Sequence, residues 1–403
     1  RKCLKQAGSG KAFRLLLRSF RIDKQCKYIS FPAAWDLLLR INSIYNNISS
    51  PSFIVRVNKT QLYEKPLYIA ADIESKIVLR YLDKLIKRVY KVKQANRNRI
   101  IKQLISILYS TNPFYITKLD ISSFYETINT TSLIQRLKDD GIISFQNISY
   151  IEDIIVNKTC GNGLPRGVAF SSSLSELYFR DFDKFLKADK RVSYFARYVD
   201  DIIIISSDDL LNDINDYFIN KLRLNINTEK TTVIKFDNDD FRIEKFDFLG
   251  FNYTIENKIK KKQKQRILSV SIADSKIKKI KQRIIKASMI YIKNRNFNDY
   301  YNRLRLIFSN YHLKSNENGI LMTGIYYNYK YITDNSALNK INQFKNTLLT
   351  SNSRISKKLK TLLTEDEKKK LLKLNIVDGF HSKIKIRLSD QKITKLCQEL
   401  KYV

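Results

Sequence analysis

The chain has 403 residues, 43% of them hydrophobic and 12% aromatic, which is enough to bury a core in one large domain with an appendage or in two to three domains. Its apolar runs are only a few residues long, and its 4 cysteines and 2 histidines have no paired spacing, which excludes a membrane span, a zinc finger, a haem attachment and a disulfide framework. No signal peptide is visible, and we expect a protein of the reducing cytoplasm.

The net charge is strongly positive and unevenly distributed. The chain has 74 basic and 39 acidic residues, a formal net charge of +35, and residues 251–403 alone hold 34 basic and 11 acidic ones. Such a surplus predicts a polyanionic partner, because each neutralised phosphate releases condensed counterions. Compositional drift would account for the many lysines, but not for the loss of acidic residues after position 250. We therefore expect nucleic acid as the partner.

The first hundred residues predict helices around a short hairpin. Residues 1–50 carry apolar faces among basic residues, which favours helices that end at Pro51. Two short strands, Phe53–Val57 and Pro66–Ile69, follow and are joined by a polar loop, an arrangement suited to a basic flap over a phosphate chain. A solvated basic hairpin is the alternative. Residues 72–109 then predict two helices with one apolar stripe.

A strand that ends in a carboxylate comes next. Phe114–Leu119 is rich in β-branched and aromatic residues and stops at Asp120. Ser123–Glu126 has the spacing of a capping box, which predicts one helix as far as about Lys138. Asp120 is therefore expected at the carboxyl end of a central strand, where the chain turns into a helix.

The next hundred residues predict turns, helices and hairpins in alternation. Gly161–Gly167 is the densest turn cluster and leads into an amphipathic helix over 171–186. The apolar and aromatic flanks of Tyr198–Asp201 predict a hairpin whose turn carries two adjacent carboxylates. The remaining predicted elements are a helix at about 208–222, a turn at 227–230 that enters a strand ending at 236, and a small hairpin at 246–253.

The order of elements over 114–236 is β-α-loop-α-β-β-α-β. This order predicts a split-βαβ antiparallel sheet backed by helices, and hence an α+β fold. After residue 265 strand signals vanish. Long periods of Lys, Ile and Leu predict helices at 272–294, 297–312 and 338–363, followed by a mixed tail.

Three carboxylates are expected to converge on one edge of this sheet. Asp120 and the pair Asp200 and Asp201 would come from adjacent strands, with the carbonyl oxygen of Ile121 beside them. Oxygen ligands from separate segments suit Mg²⁺, and two such ions about 4 Å apart transfer a nucleotidyl group from a triphosphate. Two adjacent acids are more often a solvated turn, but the flanks are too apolar for one here. We predict two Mg²⁺ ions at this site, with Mn²⁺ as the alternative ion.

Other residues are candidates for contacts with the nucleotide. Tyr125, five residues after Asp120, would crowd a ribose 2′-hydroxyl and so favour deoxynucleotides; an ordinary core aromatic is the alternative. Lys230 would protonate or neutralise the pyrophosphate leaving group, and Lys65 with Arg56 would hold the triphosphate. A glycine-rich loop would let the backbone approach nucleotide and template closely, and its candidate residues are Gly163, Pro165, Arg166 and Gly167.

Basic residues outside this site are expected to hold nucleic-acid phosphates. They share two lysine-rich stretches of the second half of the chain: Lys258, Lys260, Lys261, Lys262, Lys264 and Arg266 in the first, and Lys276, Lys278 and Lys279 in the second. We expect these stretches to bind RNA through its phosphates while residues 53–250 perform the chemistry.

Together these segments resemble the successive motifs of reverse transcriptases. The motifs are Lys118–Glu126, Gly163–Gly167, Tyr198–Asp201, Asn227–Thr231 and Phe248–Phe251, with Lys65–Leu67 similar to the basic fingertip motif that precedes them. They cover about residues 53–255 in the order and spacing of that family. The resemblance implies metal binding by Asp120, Asp200 and Asp201, a sugar-gate role for Tyr125 and proton donation by Lys230.

The resemblance also implies a right-hand polymerase, in which a split-βαβ palm with fingers and thumb is followed by an α-helical basic C-terminal domain. The expected boundaries place the N-terminal helices and fingers at 1–113 and the palm, with some fingers elements, at 114–240. A hairpin and the thumb would occupy 241–312, and the basic helical domain 313–403.

Differences from the common reverse transcriptase motifs indicate which subgroup of the family this sequence resembles. Arg166 stands where group II intron and retroviral enzymes usually have Gln, and Val199 where retron enzymes favour Ala. The helix continuing through Leu174–Tyr178 is similar to that of bacterial abortive-infection and defence-associated reverse transcriptases, and no fused integrase, ribonuclease H or endonuclease domain is visible. This similarity implies an enzyme of phage defence that makes DNA from dNTPs, either on a dedicated structured noncoding RNA or without a template, with a homo-oligomer as an alternative assembly.

Two other functions stay open at this point. One is untemplated or protein-primed DNA synthesis, in which one of the 24 tyrosines supplies the primer hydroxyl. The other is a non-catalytic RNA-binding scaffold that keeps a polymerase fold. The presence of all three carboxylates favours an enzyme over a scaffold.

Overall fold

A computed structural model describes residues 31–50, 52–62, 65–158, 163–237, 242–260, 265–314 and 320–400. The predicted helices at 1–30 and the start of the turn cluster at Gly161 lie outside these residues. The chain divides into two compact units. The first comprises the described residues up to Asn96 and those of Pro113–Lys235, and the second comprises Arg97–Asn112 and the described residues from Phe236 onward.

The elements are numbered in chain order. The helices are α1 (Phe31–Ser49), α2 (Ile73–Val89), α3 (Arg97–Leu108), α4 (Phe124–Thr127), α5 (Thr130–Asp139), α6 (Phe145–Asp153), α7 (Ser171–Tyr178), α8 (Arg180–Ala188), α9 (Leu211–Tyr217), α10 (Asp274–Asn294), α11 (Phe297–Phe308), α12 (Ile325–Tyr329), α13 (Ser336–Thr350), α14 (Arg354–Leu362), α15 (Glu365–Lys373), α16 (Ile376–His381) and α17 (Asp390–Leu400). The strands are β1 (Val57–Leu62), β2 (Lys65–Ala70), β3 (Phe114–Leu119), β4 (Val192–Tyr198), β5 (Asp201–Ser206), β6 (Thr232–Phe236), β7 (Ile243–Phe248), β8 (Phe251–Lys260), β9 (Gln265–Ile272), β10 (Asn310–Lys314) and β11 (Ile320–Gly324).

The first unit is built around a sheet with the strand order β4-β5-β3-β6. The interior position of β3 and β5 follows from their sequences, because β-branched side chains pack well on a pleated sheet that is buried on both faces. Ile202, Ile203, Ile204 and Ile205 are all at most 1% exposed. The antiparallel pairing of β3 with β5 sets Leu119 opposite Ile202. The predicted strand before Asp120 and the predicted hairpin at Tyr198–Asp201 are thus both present.

The predicted helices of residues 72–109 are also present, as α2 and α3. Asp72 caps α2 by accepting a hydrogen bond of 2.7 Å from the backbone N–H of Ser75, which satisfies one of the free donors of the first turn. The apolar stripe that the sequence predicted for α2 faces the core, with Val78, Leu82 and Ile86 buried.

The strand predicted at Phe53–Val57 is wrong. The structure pairs Val57 with Ala70 and Leu62 with Lys65, so β1 begins where the prediction ended and includes residues assigned to a polar loop. Phe53 instead packs against the core, with its ring 6.2 Å from that of Tyr150. A polar strand in an exposed two-stranded hairpin loses little hydration, so its sequence lacks the apolar signal of a buried strand.

The capping box predicted at Ser123–Glu126 is wrong as well. Ser123 has a φ of 48° and its side chain caps nothing, and the single predicted helix is split into α4 and α5. Asn129 caps α5 instead, accepting a hydrogen bond of 3.0 Å from the backbone N–H of Ser132. The carboxylate of Glu126, which a capping box would direct to the helix end, is bound by Arg166. A partner forty residues away therefore overrides the local signal.

Two further helices are divided where the sequence predicted one. The helix of 171–186 consists of α7 and α8, which meet at Phe179. The helix of 208–222 is α9, continued by a π-helical turn over Phe218–Leu222. Phe179 and Phe218 are both fully buried, with ring centroids 6.2 Å apart. Both interruptions of the predicted helices therefore lie in the packed core.

In the second unit the prediction that strands end after residue 265 is wrong. A sheet with the order β7-β8-β9 includes the whole of 265–272, and β10 pairs with β11 farther along the chain. Leu268, Val270 and Ile272 are buried at alternate positions of β9, which is the period of a strand. The helix predicted at 297–312 ends at Phe308, and a boundary between residues 312 and 313 would cut β10.

The helix predicted at 338–363 is interrupted. It consists of α13 and α14, and Ser353 caps α14 by accepting from the backbone N–H of Ser356. Lys345 on α13 is only 1% exposed. Its Nζ donates hydrogen bonds of 2.9, 3.0 and 2.5 Å to the carbonyl oxygens of Leu371, Leu372 and Leu374 at the end of α15. A buried ammonium thus satisfies carbonyls that a helix terminus leaves free.

Two arginines tie α3 and the residues after it into the second unit. Arg97 donates from Nε and Nη2 to the carbonyl oxygen of Leu249, at 3.1 and 2.6 Å. Arg266 donates to the carbonyl oxygens of Ser110, Thr111 and Asn112, at 3.3 Å for Thr111 and 3.0 Å for Asn112. Among the described residues, no helix is long and apolar enough to span a membrane.

Candidate active site

The carboxylates of Asp120 and Asp201 lie at the same edge of the β4-β5-β3-β6 sheet. Asp120 directly follows β3 and Asp201 is the first residue of β5. Leu119 is paired with Ile202 in the antiparallel register. Asp120, which follows Leu119, is therefore a neighbour of Asp201, which precedes Ile202. The predicted relation between these two acids is therefore present in the backbone.

Asp200 lies in the tight turn between β4 and β5. Tyr198 pairs with Asp201, so the turn consists of Val199 and Asp200 alone. Val199 has a φ of 62°, a left-handed conformation that is unfavourable for a β-branched residue. Asp200 is exposed. The turn thus presents a carboxylate to solvent at the cost of backbone strain, which is typical of functional sites.

Asp120 is held by the segment that enters β6. The backbone N–H of Asn227 donates to the carbonyl oxygen of Asp120 at 2.9 Å, and its side-chain amide donates to Oδ2 at 3.2 Å. Lys230 Nζ lies 3.6 Å from the same Oδ2, and its side chain is 67% exposed. Ile121, whose carbonyl oxygen the sequence suggested as a ligand, forms a bridge with Ile226.

These donors suit a hard divalent ion in kind, because they are carboxylate and carbonyl oxygens from separate segments. The side chains of these donors do not converge on a common point. Over the described ranges, no three His, Cys, Asp or Glu side chains form a group that could hold a metal ion. The cation that lies beside Asp120 is the Lys230 ammonium. The type and origin of these oxygen donors therefore suit a divalent ion.

A cavity of about 410 Å³ in the first unit brings together several of the predicted substrate contacts. Its lining residues are Lys65, Leu67, Tyr125, Arg166, Gly167, Val168, Ser171 and Ser172. Arg56 is exposed and is not part of this lining, and Gly163 and Pro165 are buried behind it. The sequence thus identified four of the residues that line this cavity.

Arg166 is the most constrained cation of this cavity. It donates from Nε to Glu126 Oε1 at 2.5 Å and from Nη2 to Oε2 at 3.0 Å, a forked ion pair. Its guanidinium carbon lies 5.4 Å from the centre of the Tyr125 ring. Burial opposes ionisation of Glu126, but the hydrogen bonds from Arg166 outweigh it and lower the pKa of that carboxyl. Lys65 contributes in the same direction.

Tyr125 is buried enough to respond to the charges around it. Burial, and next the negative charge of Asp200, raise the pKa of its hydroxyl above the ordinary value. Tyr125 is also packed against the core, with its ring 5.1 Å from that of Phe124. The position of Tyr125 is thus compatible both with the core-aromatic alternative and with the sugar-gate hypothesis.

The glycines of the loop approach the protein's own backbone closely. A Cβ at Gly163 would lie 2.2 Å from the carbonyl oxygen of Tyr125, and a Cβ at Gly167 would lie 2.5 Å from that of Tyr68. Both residues have positive φ, at 67° and 90°. The close approach that requires glycine is therefore to the protein's own backbone. The loop is locked against α4 and β2, which positions Arg166 between them.

Several charged residues beneath the site were missed by the sequence analysis. Arg197 on β4 binds Glu176 and Asp183, and Glu126 binds Arg166. An arginine flanked by apolar residues in a buried strand was the available signal for Arg197, because such a residue needs a buried counterion. The partners themselves are brought in by tertiary packing and leave no local pattern.

The predicted phosphate contacts of the second unit lie in different environments. Lys278 and Lys279 are exposed on α10, opposite its buried face, and Lys276 is half-buried. Arg266 is wrong as a phosphate contact, because it is 1% exposed and its guanidinium is bonded to backbone carbonyls. The side chains of Lys258 and Lys260 lie outside the described part of the structure, as do the whole of Lys261, Lys262 and Lys264.

Comparisons with known proteins address the family and the fold. Residues 71–253 match the family model described as reverse transcriptase (RNA-dependent DNA polymerase). Solved structures similar to the chain include telomerase from Candida tropicalis in complex with a fragment of telomeric RNA, with a TM-score of 0.40, 16% identity, and coverage of 93% of this chain and 65% of that chain. Telomerase from Candida albicans in complex with such a fragment has a TM-score of 0.38 and 13% identity, covering 90% and 64%.

A third structure is apo telomerase from Candida tropicalis truncated from its C-terminal domain, with a TM-score of 0.38, 16% identity and coverage of 56% of each chain. The chain thus spans between 56% and 65% of the length of these solved chains. None of the curated proteins matches it. The matched segment 71–253 includes Asp120, Asp200, Asp201 and most of the cavity lining. Residues 71–253 of this chain therefore resemble a reverse transcriptase domain.

Proposed function

We propose that this protein is an RNA-directed DNA polymerase that makes DNA from dNTPs by two-metal phosphoryl transfer. The observation that carries the proposal is the register of β3 and β5, which sets Asp120 beside Asp201 next to the Asp200 turn. This edge lies within the segment that matches the reverse transcriptase family. The cavity with Lys65, Tyr125 and Arg166 supplies a second argument, because it collects two cations and a bulky ring in one place.

Asp120, Asp200 and Asp201, with the carbonyl oxygen of Ile121, are the residues that would hold two Mg²⁺ ions, or Mn²⁺ in their place. When bound, such ions lower the pKa of an attacking hydroxyl and neutralise the charge that develops on the phosphates. The chain provides oxygen donors from two neighbouring strands and a turn, which is the donor type that Mg²⁺ prefers.

The remaining roles follow from charge and position. Lys65 and Arg166 would bind the triphosphate, with Arg166 released from Glu126 as the phosphates arrive. The ring of Tyr125 would exclude a 2′-hydroxyl and so select dNTPs. Lys230 is exposed and close to Asp120, and from that position it would donate a proton to the pyrophosphate leaving group. Arg56 would contribute from outside the cavity lining.

The second unit would bind the nucleic acid. Lys278 and Lys279 are exposed on one face of α10, whose opposite face is buried. Contacts with phosphates at such positions are independent of sequence and sensitive to salt. The RNA, the DNA product and the dNTPs are thus the proposed partners, with the second unit holding the RNA.

The biological setting we propose is phage defence in the bacterial cytoplasm, on a dedicated structured noncoding RNA and with a homo-oligomer as a further assembly. The support is the similarity of Leu174–Tyr178 to defence-associated reverse transcriptases. Plaque counts on cells that express the chain or its Asp200→Ala variant test this setting. Protection by the original chain alone is expected, and equal plaque counts would remove the defence role while leaving the polymerase untouched.

Incorporation assays test the biochemical function. Purified protein is given an oligo(dT) primer on poly(rA), labelled dTTP and Mg²⁺, with poly(dA) and template-free reactions alongside. We expect DNA whose length depends on the RNA template and no product from the Asp200→Ala variant. Product of equal length without a template would favour untemplated synthesis, and no product with Mg²⁺ or Mn²⁺ would favour a scaffold. Sequencing the nucleic acid that copurifies identifies the template.

A further inference from the structure

A buried ionic cluster lies directly behind the turn that carries Asp200. Arg197, three residues before Asp200 on β4, has a side chain only 3% exposed. It donates from Nε and Nη2 to the two carboxylate oxygens of Asp183, at 2.9 and 2.8 Å, and from Nη2 to Glu176 at 2.7 Å. Its guanidinium carbon lies 5.1 Å from the centre of the Phe179 ring. We call Arg197, Glu176 and Asp183 the brace.

The brace joins three consecutive elements of the chain. Glu176 belongs to α7, Asp183 to α8 and Arg197 to β4. Burial acts to lower the pKa of Arg197, but the bonds to Asp183 and Glu176 outweigh it and raise that pKa. The forked geometry of the cluster fixes the direction of the arginine side chain.

The arginine also reaches the turn itself. Nη1 of Arg197 lies 3.5 Å from the carbonyl oxygen of Val199. Val199 is the β-branched residue with a φ of 62°, a conformation that persists only where the surroundings enforce it. Asp200 and Asp201 follow directly along the chain. A cation held rigidly beneath the Val199 carbonyl is thus placed to keep the turn in its strained form.

We propose that Arg197 is a positioning residue, which acts through Val199 to hold Asp200 and Asp201 where they can bind divalent ions. The inference rests on the proposed polymerase function for its consequence, but its structural basis is separate from it. Removal of the brace should release the turn, spread the directions of the two carboxylates and weaken the response to Mg²⁺. Substrate contacts in the cavity would not change, because Lys65, Tyr125 and Arg166 are held by other elements.

Arg197→Lys is the main test. Lysine keeps the charge but cannot bind both oxygens of Asp183 and reach Glu176 at the same time. We expect the half-saturating Mg²⁺ concentration for dNTP incorporation to rise about 10-fold or more, as for other residues that orient metal ligands. The KM for dTTP at saturating Mg²⁺ should stay within about twofold of the original value, because uniform substrate binding is unaffected.

A second readout is independent of activity. Deuterium exchange of a peptide covering 193–206 should become faster in the Arg197→Lys variant, while exchange of α10 stays unchanged. The variant Arg197→Lys with Val199→Gly tests the link to the turn. Glycine adopts a positive φ without strain, so it should recover most of the lost Mg²⁺ response. A merely structural role of Arg197 would give no such recovery.

Arg191→Lys is the matched control. Arg191 also binds two carboxylates, those of Asp189 and Asp213 at 2.8 and 2.7 Å, but it is exposed and precedes β4 at the end away from the turn. Its substitution should leave both readouts unchanged. An Arg197→Lys variant with the original Mg²⁺ dependence and exchange rates, or an equal effect of Arg191→Lys, would overturn the proposal.

Asp183→Asn decides the question if Arg197→Lys does not fold, because it leaves Glu176 as the counterion of Arg197. The same rise in half-saturating Mg²⁺ and the same faster exchange are expected, and unchanged values would overturn the proposal. If the original protein incorporates no dNTP, the polymerase function fails, but the exchange of 193–206 still shows whether the brace holds the turn.

Discussion

Lys230 Nζ lies 3.6 Å from Asp120 Oδ2, with the lysine side chain 67% exposed and the aspartate side chain 29% exposed. The pair crosses from the end of β3 to the turn that enters β6. An ion pair this exposed contributes at most about 1 kcal/mol to the free energy of unfolding. The ion pair itself therefore adds little to the stability of the fold.

The first prediction concerns the carboxylates. Asp120→Ala and Asp200→Ala should each lower the rate of dNTP incorporation by at least about 10³-fold, because a metal centre supplies several kcal/mol of transition-state stabilisation. The melting temperature should stay within about 2 °C, since surface substitutions have small effects. Asp213→Ala, at an exposed ion pair with Arg191, is the control. Full synthesis by either site variant would remove the metal assignment.

The second prediction concerns the sugar gate. Tyr125→Ala removes the ring on which Arg166 lies and should raise the relative use of rNTPs over dNTPs by at least about 10-fold, or 1.4 kcal/mol. Competition between dTTP and UTP on one template measures this ratio. Tyr125→Phe keeps the ring and should keep the original selectivity. If Tyr125→Ala leaves the ratio unchanged, Tyr125 is a core aromatic without a gating role.

The third prediction separates two glycines of positive φ. Gly163→Ala would set a Cβ 2.2 Å from the carbonyl oxygen of Tyr125, whereas a Cβ at Gly141 meets nothing within 4 Å. Gly141→Ala should cost only the backbone strain of about 1 kcal/mol. Gly163→Ala should lower the free energy of unfolding by several times that amount and displace Arg166. Urea unfolding of both variants measures the difference, and equal losses would show that the loop adjusts freely.

The fourth prediction concerns pH. Burial lowers the pKa of Lys345 from 10.5 to about 8, so between those values the unfolded chain binds more protons than the folded one. The free energy of unfolding should therefore rise with pH across this window, by up to about 3 kcal/mol. Below pH 8 both states are protonated and the contribution is constant. In Lys345→Met this rise should be absent, and the difference between the two unfolding curves isolates it from other groups. Parallel curves would contradict the assignment.

The fifth prediction concerns binding of RNA by α10. Replacing both Lys278 and Lys279 by Ala should lower the slope of log affinity against log salt by about 1.4 to 1.8, since each lost phosphate contact contributes about 0.7 to 0.9. Arg266→Met should instead lower the melting temperature and leave the slope unchanged, because its guanidinium is bonded to the backbone of 110–112. A normal slope in the double variant would make the charge excess compositional drift.

The elements that the sequence predicts well are those whose signal is local. The run Ile202–Ile205 and the strand before Asp120 are apolar enough to be recognised as buried strands, and their register then follows from antiparallel pairing. The hairpin turn at Asp200 is bounded by the same runs. The proposed carboxylates could therefore be found without a structure.

The features that the sequence does not predict depend on contacts with residues that are distant along the chain. Ser123 adopts a left-handed φ, and Glu126 binds Arg166 rather than the helix end. Arg266 looks like one more cation of a lysine-rich stretch, yet it is buried by packing against a loop 150 residues earlier. Backbone conformations and burial of this kind depend on long-range contacts that local propensity does not encode.

The placement of α3 in the second unit has a consequence for synthesis on the ribosome. Ile101, Leu104 and Leu108 are completely buried in the finished protein, and the unit that contains them begins again only at Phe236. Residues 113–235 separate the two parts, and their translation takes roughly 6 to 25 s at about 5 to 20 residues per second. During that interval the apolar face of α3 is a natural site for a chaperone. A nascent chain arrested before residue 236 should therefore hold α3 without the rest of the second unit, while the first unit can already fold.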